Sequence, residues 1–159
     1  MKIRFYTGTE MEISGDSLEA QKLDGLNLHR AMLASVSLKK ATFRRCDLRG
    51  AILDDADASE ADFSDASMMT AFFRRTTLRK AILRGAKPIG VDFEGANLED
   101  ADLTGADVHW AKFHGASLKA AVMLCDRLEG ANLEGAQFDE RTVWPVGFDP
   151  ISKGAVKIT

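Results

Sequence analysis

The residues of this chain that could take part in catalysis or metal binding are few and widely spaced. Its three histidines are His29, His109 and His114, and its two cysteines are Cys46 and Cys125. Serines, cysteines and histidines recur in no arrangement that pairs a nucleophile with a base. The sequence also lacks the GxxxxGK[ST], HExxH and GxSxG motifs of phosphate binding, zinc proteolysis and ester hydrolysis. These observations predict a protein with no catalytic residues, no metal ligands and no cofactor.

Carboxylates are abundant, but the pattern that carries them predicts a convex polar wall. Acid–base chemistry needs carboxylates held in a cleft, so we expect that this chain is not an enzyme. The two cysteines lie far apart along the sequence, which favours reduced structural thiols in a cytosolic protein.

The dominant feature of the chain is a period of five residues from Asp16 to Glu140. A large apolar residue, usually Leu or Phe, recurs at what we call the centre position, and alanine usually stands two residues earlier, at the small position. A period of five fits neither an α-helix nor a flat strand. The chain must therefore turn once per repeat, with these two positions pointing inward and the other three pointing to solvent. The Leu and Phe centres are Leu18, Leu23, Leu28, Leu33, Leu38, Phe43, Leu48, Leu53, Phe63, Phe73, Leu78, Leu83, Phe93, Leu98, Leu103, Phe113, Leu118, Leu128, Leu133 and Phe138.

Four repeats that close a square would give a coil of 20 residues, stacked on the next coil at the strand spacing of ~4.8 Å. Segments such as ANLEDADLTGADVHWAKFHGASL and ANLEGAQF resemble the A(D/N)LxG repeats of the pentapeptide-repeat family. The resemblance implies an all-β fold, a right-handed quadrilateral parallel β-helix. Residues 16–140 would form about six coils. We expect residues 1–15 to form an N-terminal cap, with hairpin character, and residues 141–159 to form a C-terminal cap.

The 20-residue coil makes a further prediction, because residues 20 apart should stack. Read in this way, many charges alternate in sign, as in the column Asp54, Arg74, Glu94, His114 and Glu134. Alternation of this kind stabilises neighbouring strands.

Three positions break the repeat. Ala58 and Pro88 replace large centre residues, and Asp126 stands at a small position that should be apolar. They are read either as tolerated irregularities or as a deformed wall that shapes a binding surface.

Several outward positions are apolar where the repeat favours polar residues. Aromatic residues beside arginine are typical of protein interfaces. The alternative is that a terminal cap folds back over these residues. The candidate interaction surface comprises Met32, Ile52 and Phe72, which are 20 residues apart, Arg74 and Arg75 after them, and Met69, Ile89, His109 and Trp110 on the adjacent face.

Composition limits the functions further. A net charge of −3 and a pI near 5.6 argue against direct nucleic-acid binding. No apolar run is long enough to cross a membrane, and the start MKIRFYTGTE lacks the apolar region of a secretory signal, so we expect a cytoplasmic protein.

The leading hypothesis is a non-catalytic scaffold for an unknown protein partner. A homodimer through an apolar face or through the C-terminal end is also open. The resemblance implies a second function, a DNA mimic that binds type II topoisomerases and confers quinolone resistance. A secreted bacterial effector is the third.

Overall fold

The chain forms a solenoid in which residues 20 apart lie side by side. A computed structural model describes residues 1–159. Parallel β-bridges run from Lys22↔Thr42 to Val122↔Val143, and almost all of them join residues separated by 20. Successive bridges are five residues apart along the chain, so four columns of bridges run along the solenoid. The period of five and the spacing of 20 are therefore properties of one backbone pattern.

Backbone hydrogen bonds explain why each repeat needs five residues. The N–H of Ala31 donates to the C=O of Leu28 within a turn (2.9 Å), which bends the chain between repeats. The N–H of Leu33 donates to the C=O of Ile52 (2.7 Å), and the N–H of Ile52 donates back to the C=O of Ala31 (2.9 Å). One repeat thus contains a turn and a short parallel pairing with the neighbouring coil.

The core is the column of centre and small positions. Stacked aromatic rings fill its middle, with centroids 4.9 Å apart for Phe43 and Phe63 and 5.1 Å apart for Phe93 and Phe113. An edge contact between Phe63 and Phe73 at 5.8 Å joins the aromatic runs into one. Both centre irregularities, Ala58 and Pro88, are buried like their neighbours, so they leave the wall intact.

Named strands occur mainly at the two ends. Short 3-10 segments follow at Leu128–Gly130 and Ile151–Lys153. The strands are β1 (Lys2–Phe5), β2 (Glu10–Glu12), β3 (Ala31–Met32), β4 (Gln137–Phe138) and β5 (Val156–Lys157).

The N-terminal strands form an antiparallel hairpin that continues one face of the solenoid. β1 pairs with β2 on one side, and with β3 on the other side through Arg4↔Met32 and Phe5↔Ala31. Ile3 points inward and is buried against the first coil. The hairpin therefore covers part of the open edge of the first coil, and it extends that face by two strands.

The expectation that Asp126 occupies an inward position is wrong. Asp126 is exposed and bridges Asp107, which is only 19 residues away, whereas Cys125 packs against the core. A left-handed residue at Arg127 and the 3-10 segment after it return the chain to the lattice. The physical reason is that an unpaired carboxylate is expensive to bury, so the backbone shifts by one residue and keeps it in water.

The C-terminal segment adds a last, irregular layer. Val143 bridges Val122, and β5 pairs in parallel with β4. Trp144 packs edge-on against Phe138 and stacks on Phe148, with centroid distances of 5.5 Å in both cases.

Candidate interaction surface

Three residues of the predicted surface form a continuous apolar column. Met32, Ile52 and Phe72 occupy the outward position of successive coils and are joined by parallel bridges. Met32 is 49% exposed and Phe72 is 39% exposed, whereas Ile52 is half-buried. We call these three residues the apolar column.

The N-terminal hairpin leaves the apolar column uncovered. Because Arg4 pairs with Met32 across neighbouring strands, the hairpin lies beside the column in the plane of the same face. At the other end, Phe72 bridges Asp92. The column is thus bordered by a cation on one side and by an anion on the other.

Arg74 is held in place next to Phe72. Its guanidinium donates to both sides of the Asp54 carboxylate region, with Nη2 2.6 Å and Nε 3.0 Å from Asp54 Oδ2. Its Cζ lies 5.4 Å from the centre of the Phe72 ring, within cation–π distance. The hydrogen bond from Asp54 raises the pKa of Arg74, so the cation is fixed in both charge and position.

Arg75 is oriented by its own carboxylate partner. It pairs with Asp55 at 2.7 Å, and this hydrogen bond lowers the pKa of the Asp55 carboxyl. Of the predicted charge column, only the Asp54–Arg74 pair forms an ion pair, and no ion pair involves His114. Other pairs run diagonally, such as Arg44–Asp62 and Arg84–Asp102, which are 18 residues apart.

The remaining predicted residues lie at the corner that precedes this face. Met69 and Ile89 occupy equivalent turn positions on neighbouring coils, and His109 follows them in the same column. Trp110 lies one residue further and is 67% exposed. The structure therefore places the nine residues in two neighbouring groups, one on the face and one along its border.

The His109 and Trp110 side chains form a compact pair. Their ring centroids are 4.2 Å apart. Gly130 makes room for the imidazole, because a Cβ at that position would lie 2.4 Å from His109 Nδ1. Gly130 was expected to serve a left-handed corner, but it is the repeat-end glycine whose φ is not positive. Its role is close packing.

Sequence reasoning missed the charged border of the apolar column. Arg4 and Tyr6 belong to the hairpin, outside the five-residue repeat, so the lattice could not place them. The alternation of exposed Lys2 and Arg4 with buried Ile3 was the available signal. Asp92 followed from the 20-residue spacing and was overlooked because a charge at an outward position is ordinary.

The residues considered for chemistry are dispersed. No group of three or more His, Cys, Asp or Glu side chains is arranged to hold a metal ion. Burial raises the pKa of the Cys46 thiol to about 11 and that of Cys125 to about 12. The Cys46 thiol donates to the C=O of Leu23 at 2.9 Å, so it contributes a hydrogen bond to the wall. No helix has the length and apolar character needed to span a membrane.

Together these features define an all-β solenoid of five-residue repeats with a partly apolar outer face. The family model for pentapeptide repeats matches the chain in eight copies, over residues 17–50, 43–69, 59–87 and 89–119. The chain therefore belongs to the pentapeptide-repeat family. A search of curated proteins finds no match.

Solved structures of the same family are similar to this chain. A pentapeptide repeat protein from Nostoc PCC 7120 is 32% identical, with 74% of this chain and 84% of that one covered and a TM-score of 0.38. Rfr23 from the cyanobacterium Cyanothece 51142 is 27% identical, with 79% and 89% covered and a TM-score of 0.45. Trypsin-treated QnrB1, a plasmid-mediated fluoroquinolone resistance protein, is 19% identical, with 92% and 88% covered and a TM-score of 0.42.

Proposed function

We propose that this protein is a non-catalytic scaffold that binds another protein through the apolar column and its border. In this proposal the repeats form a right-handed quadrilateral rod of about six coils, which holds the binding face rigid. The observation that carries the proposal is the exposure of Phe72 at 39% and Trp110 at 67% on one side of the rod. Aromatic residues contribute most to protein interfaces when they lie near arginine on a preorganised surface.

The geometry around Phe72 supports binding in two ways. Its neighbour Arg74 is already oriented by Asp54, so little side-chain freedom would be lost on association. The bridges on both sides of Phe72 fix its backbone, which makes the face available without rearrangement.

The test compares capture of partners from the native cell by the wild-type protein and by the double variant Phe72→Glu, Trp110→Glu. Truncation of interface hot spots typically costs ~2 kcal/mol or more each, so we expect capture of the specific partner to fall at least about 30-fold. Ile82→Glu is the matched control, because Ile82 is an exposed outward residue on the opposite face. Equal capture by all three proteins, with equal thermal stability, would exclude this surface.

Topoisomerase binding by mimicry of DNA remains the alternative. Its support is the uneven charge along the chain, since residues 81–159 contain twelve Asp and Glu against eight Lys and Arg. Cations at Lys39, Lys40 and Arg79 interrupt a uniformly anionic surface. Supercoiling by gyrase, measured with and without a quinolone, tests this alternative, and an unchanged activity at micromolar protein would remove it.

A further inference from the structure

The face that contains the apolar column carries an ordered sequence of charges. The hairpin and the bridges place seven outward residues in successive rows along this face. Moving away from the N-terminal end, the rows read acid, base, three apolar residues, acid, base. The seven residues, which we call the ladder, are Glu10, Arg4, Met32, Ile52, Phe72, Asp92 and Lys112.

This order is complementary to itself when it is reversed. If a second ladder faces the first with its direction inverted and Ile52 opposite Ile52, then Met32 lies opposite Phe72. On the same alignment Arg4 lies opposite Asp92, and Glu10 lies opposite Lys112. Every charge thus meets an opposite charge, and every apolar residue meets an apolar one. A two-fold axis in the plane of the interface, level with Ile52, produces this arrangement in both copies at once.

We propose that the partner of the apolar column is a second copy of this chain, bound face to face with the two solenoids antiparallel. This inference rests on the proposed function, because it uses the same surface. Charge order selects the antiparallel alignment, since a parallel alignment would place like charges opposite each other.

The residues on both sides of the ladder agree with this alignment. Lys2 lies two residues from Arg4, towards the corner that carries Ala34, and Glu94 lies two residues from Asp92 towards the same corner. The two-fold axis brings Lys2 of one copy near Glu94 of the other. On the opposite border, Tyr6, whose N–H donates to the C=O of Arg30, comes near Ile89 of the second copy.

The level of the axis contains no exposed like charges that would repel. Asp54 shares the coil of Ile52 and would approach its own copy, but it is 8% exposed and is paired with Arg74 at 2.6 Å. Seven rows at ~4.8 Å give a strip roughly 29 Å long. An interface of this length and about one repeat in width is small, so we expect a dimer that dissociates in the micromolar range.

The first test is sedimentation velocity of the full chain from about 1 to about 500 µM. We expect a monomer–dimer equilibrium for the wild type and a monomer for Ile52→Glu, which places two carboxylates at the axis. Ile82→Glu should dimerise like the wild type. Wild-type protein that stays monomeric throughout, or a dimer that persists unchanged in Ile52→Glu, would overturn the self-association.

The second test separates a lost contact from a damaged fold. Asp92→Lys and Arg4→Glu should each weaken homodimerisation at least tenfold, because each places like charges opposite each other. Mixing the two variants should restore a heterodimer with nearly wild-type affinity, since the introduced lysine then faces the introduced glutamate. A mixture that stays monomeric while both variants are folded would contradict the antiparallel alignment.

These outcomes are distinguishable from failure of the proposed function. A monomeric wild-type protein that still loses capture of a different protein on Phe72→Glu leaves the scaffold proposal standing and removes only the second copy as its partner.

Discussion

The last residue of most repeats adopts left-handed backbone, whether or not it is glycine. Fifteen non-glycine residues have positive φ, and Trp110 is one of them at 58°. Side chains with a Cβ lose roughly 1–2 kcal/mol in this conformation. Gly50 and Gly90 occupy the position of Trp110 on earlier coils. The fold thus tolerates tryptophan there without needing it, which is why Trp110 is assigned to binding.

Replacement of Trp110 by glycine tests this assignment. Relief of the left-handed strain offsets the lost stacking on His109, so we expect the free energy of unfolding to stay within about 1 kcal/mol of the wild type or to rise. Binding through the border should fall. Urea denaturation measures the first effect, and a loss well above that range would make Trp110 a structural residue.

The hairpin is the element that completes the first coil. In a solenoid each layer is stabilised mainly by its neighbours, so an end without a cap unfolds most easily. Ile3 anchors the hairpin by burial against the first coil, while β1 supplies a strand partner to β3. The same strand carries Arg4 to the border of the apolar column. One element therefore both closes the end and completes the charged ladder.

Truncation of Ile3 should destabilise one end of the rod selectively. We expect Ile3→Ala to cost about 2–4 kcal/mol locally, because it leaves a cavity under the hairpin. Hydrogen exchange should accelerate in residues 18–40 and stay unchanged in residues 110–140. Lys2→Ala, in the same strand but exposed, is the control. Uniform acceleration along the whole chain would show instead that the coils unfold together.

At the scale of the whole molecule, aspartates tie the coils and turns together. For Asp62, burial acts to raise the pKa, but hydrogen bonds from Ser64 and Arg44 outweigh it and lower the pKa overall. At the last coil, the N–H of Ala120 and the Arg141 side chain lower the pKa of Asp139 to about 2. These carboxylates are paired in the fold and free in the unfolded chain, so folding favours their ionised forms.

The sign of the resulting pH dependence follows directly. The pKa of Asp139 in the fold lies below its unfolded value of ~3.9, so its contribution is present above pH ~4 and is lost as the pH falls towards 2. We expect Tm to fall steeply across that interval. Asp139→Asn should flatten the decline, whereas Asp16→Asn, at an exposed residue without a side-chain hydrogen bond, should leave it unchanged. A Tm independent of pH between 4 and 2 would contradict this account.

The candidate surface was only partly predictable from sequence. The apolar column followed from the lattice, because three outward residues of the same type stand 20 apart. The border did not, since Arg4 reaches this face through antiparallel pairing outside the repeat. The charge columns were predicted too simply, because long side chains also reach partners 18 residues away, as Arg44 does with Asp62.

The sequence by itself determined the repeat, its membership of the pentapeptide-repeat family and the inward and outward positions. Those properties are local: five residues supply one turn, one pairing and one core side chain, and each copy repeats the same physics. Only the tertiary structure decided where the hairpin docks and how the chain shifts at Asp126. It also decided that the apolar column stays open. These outcomes depend on competition between burial, hydrogen bonding and strand pairing across coils, which no single repeat encodes.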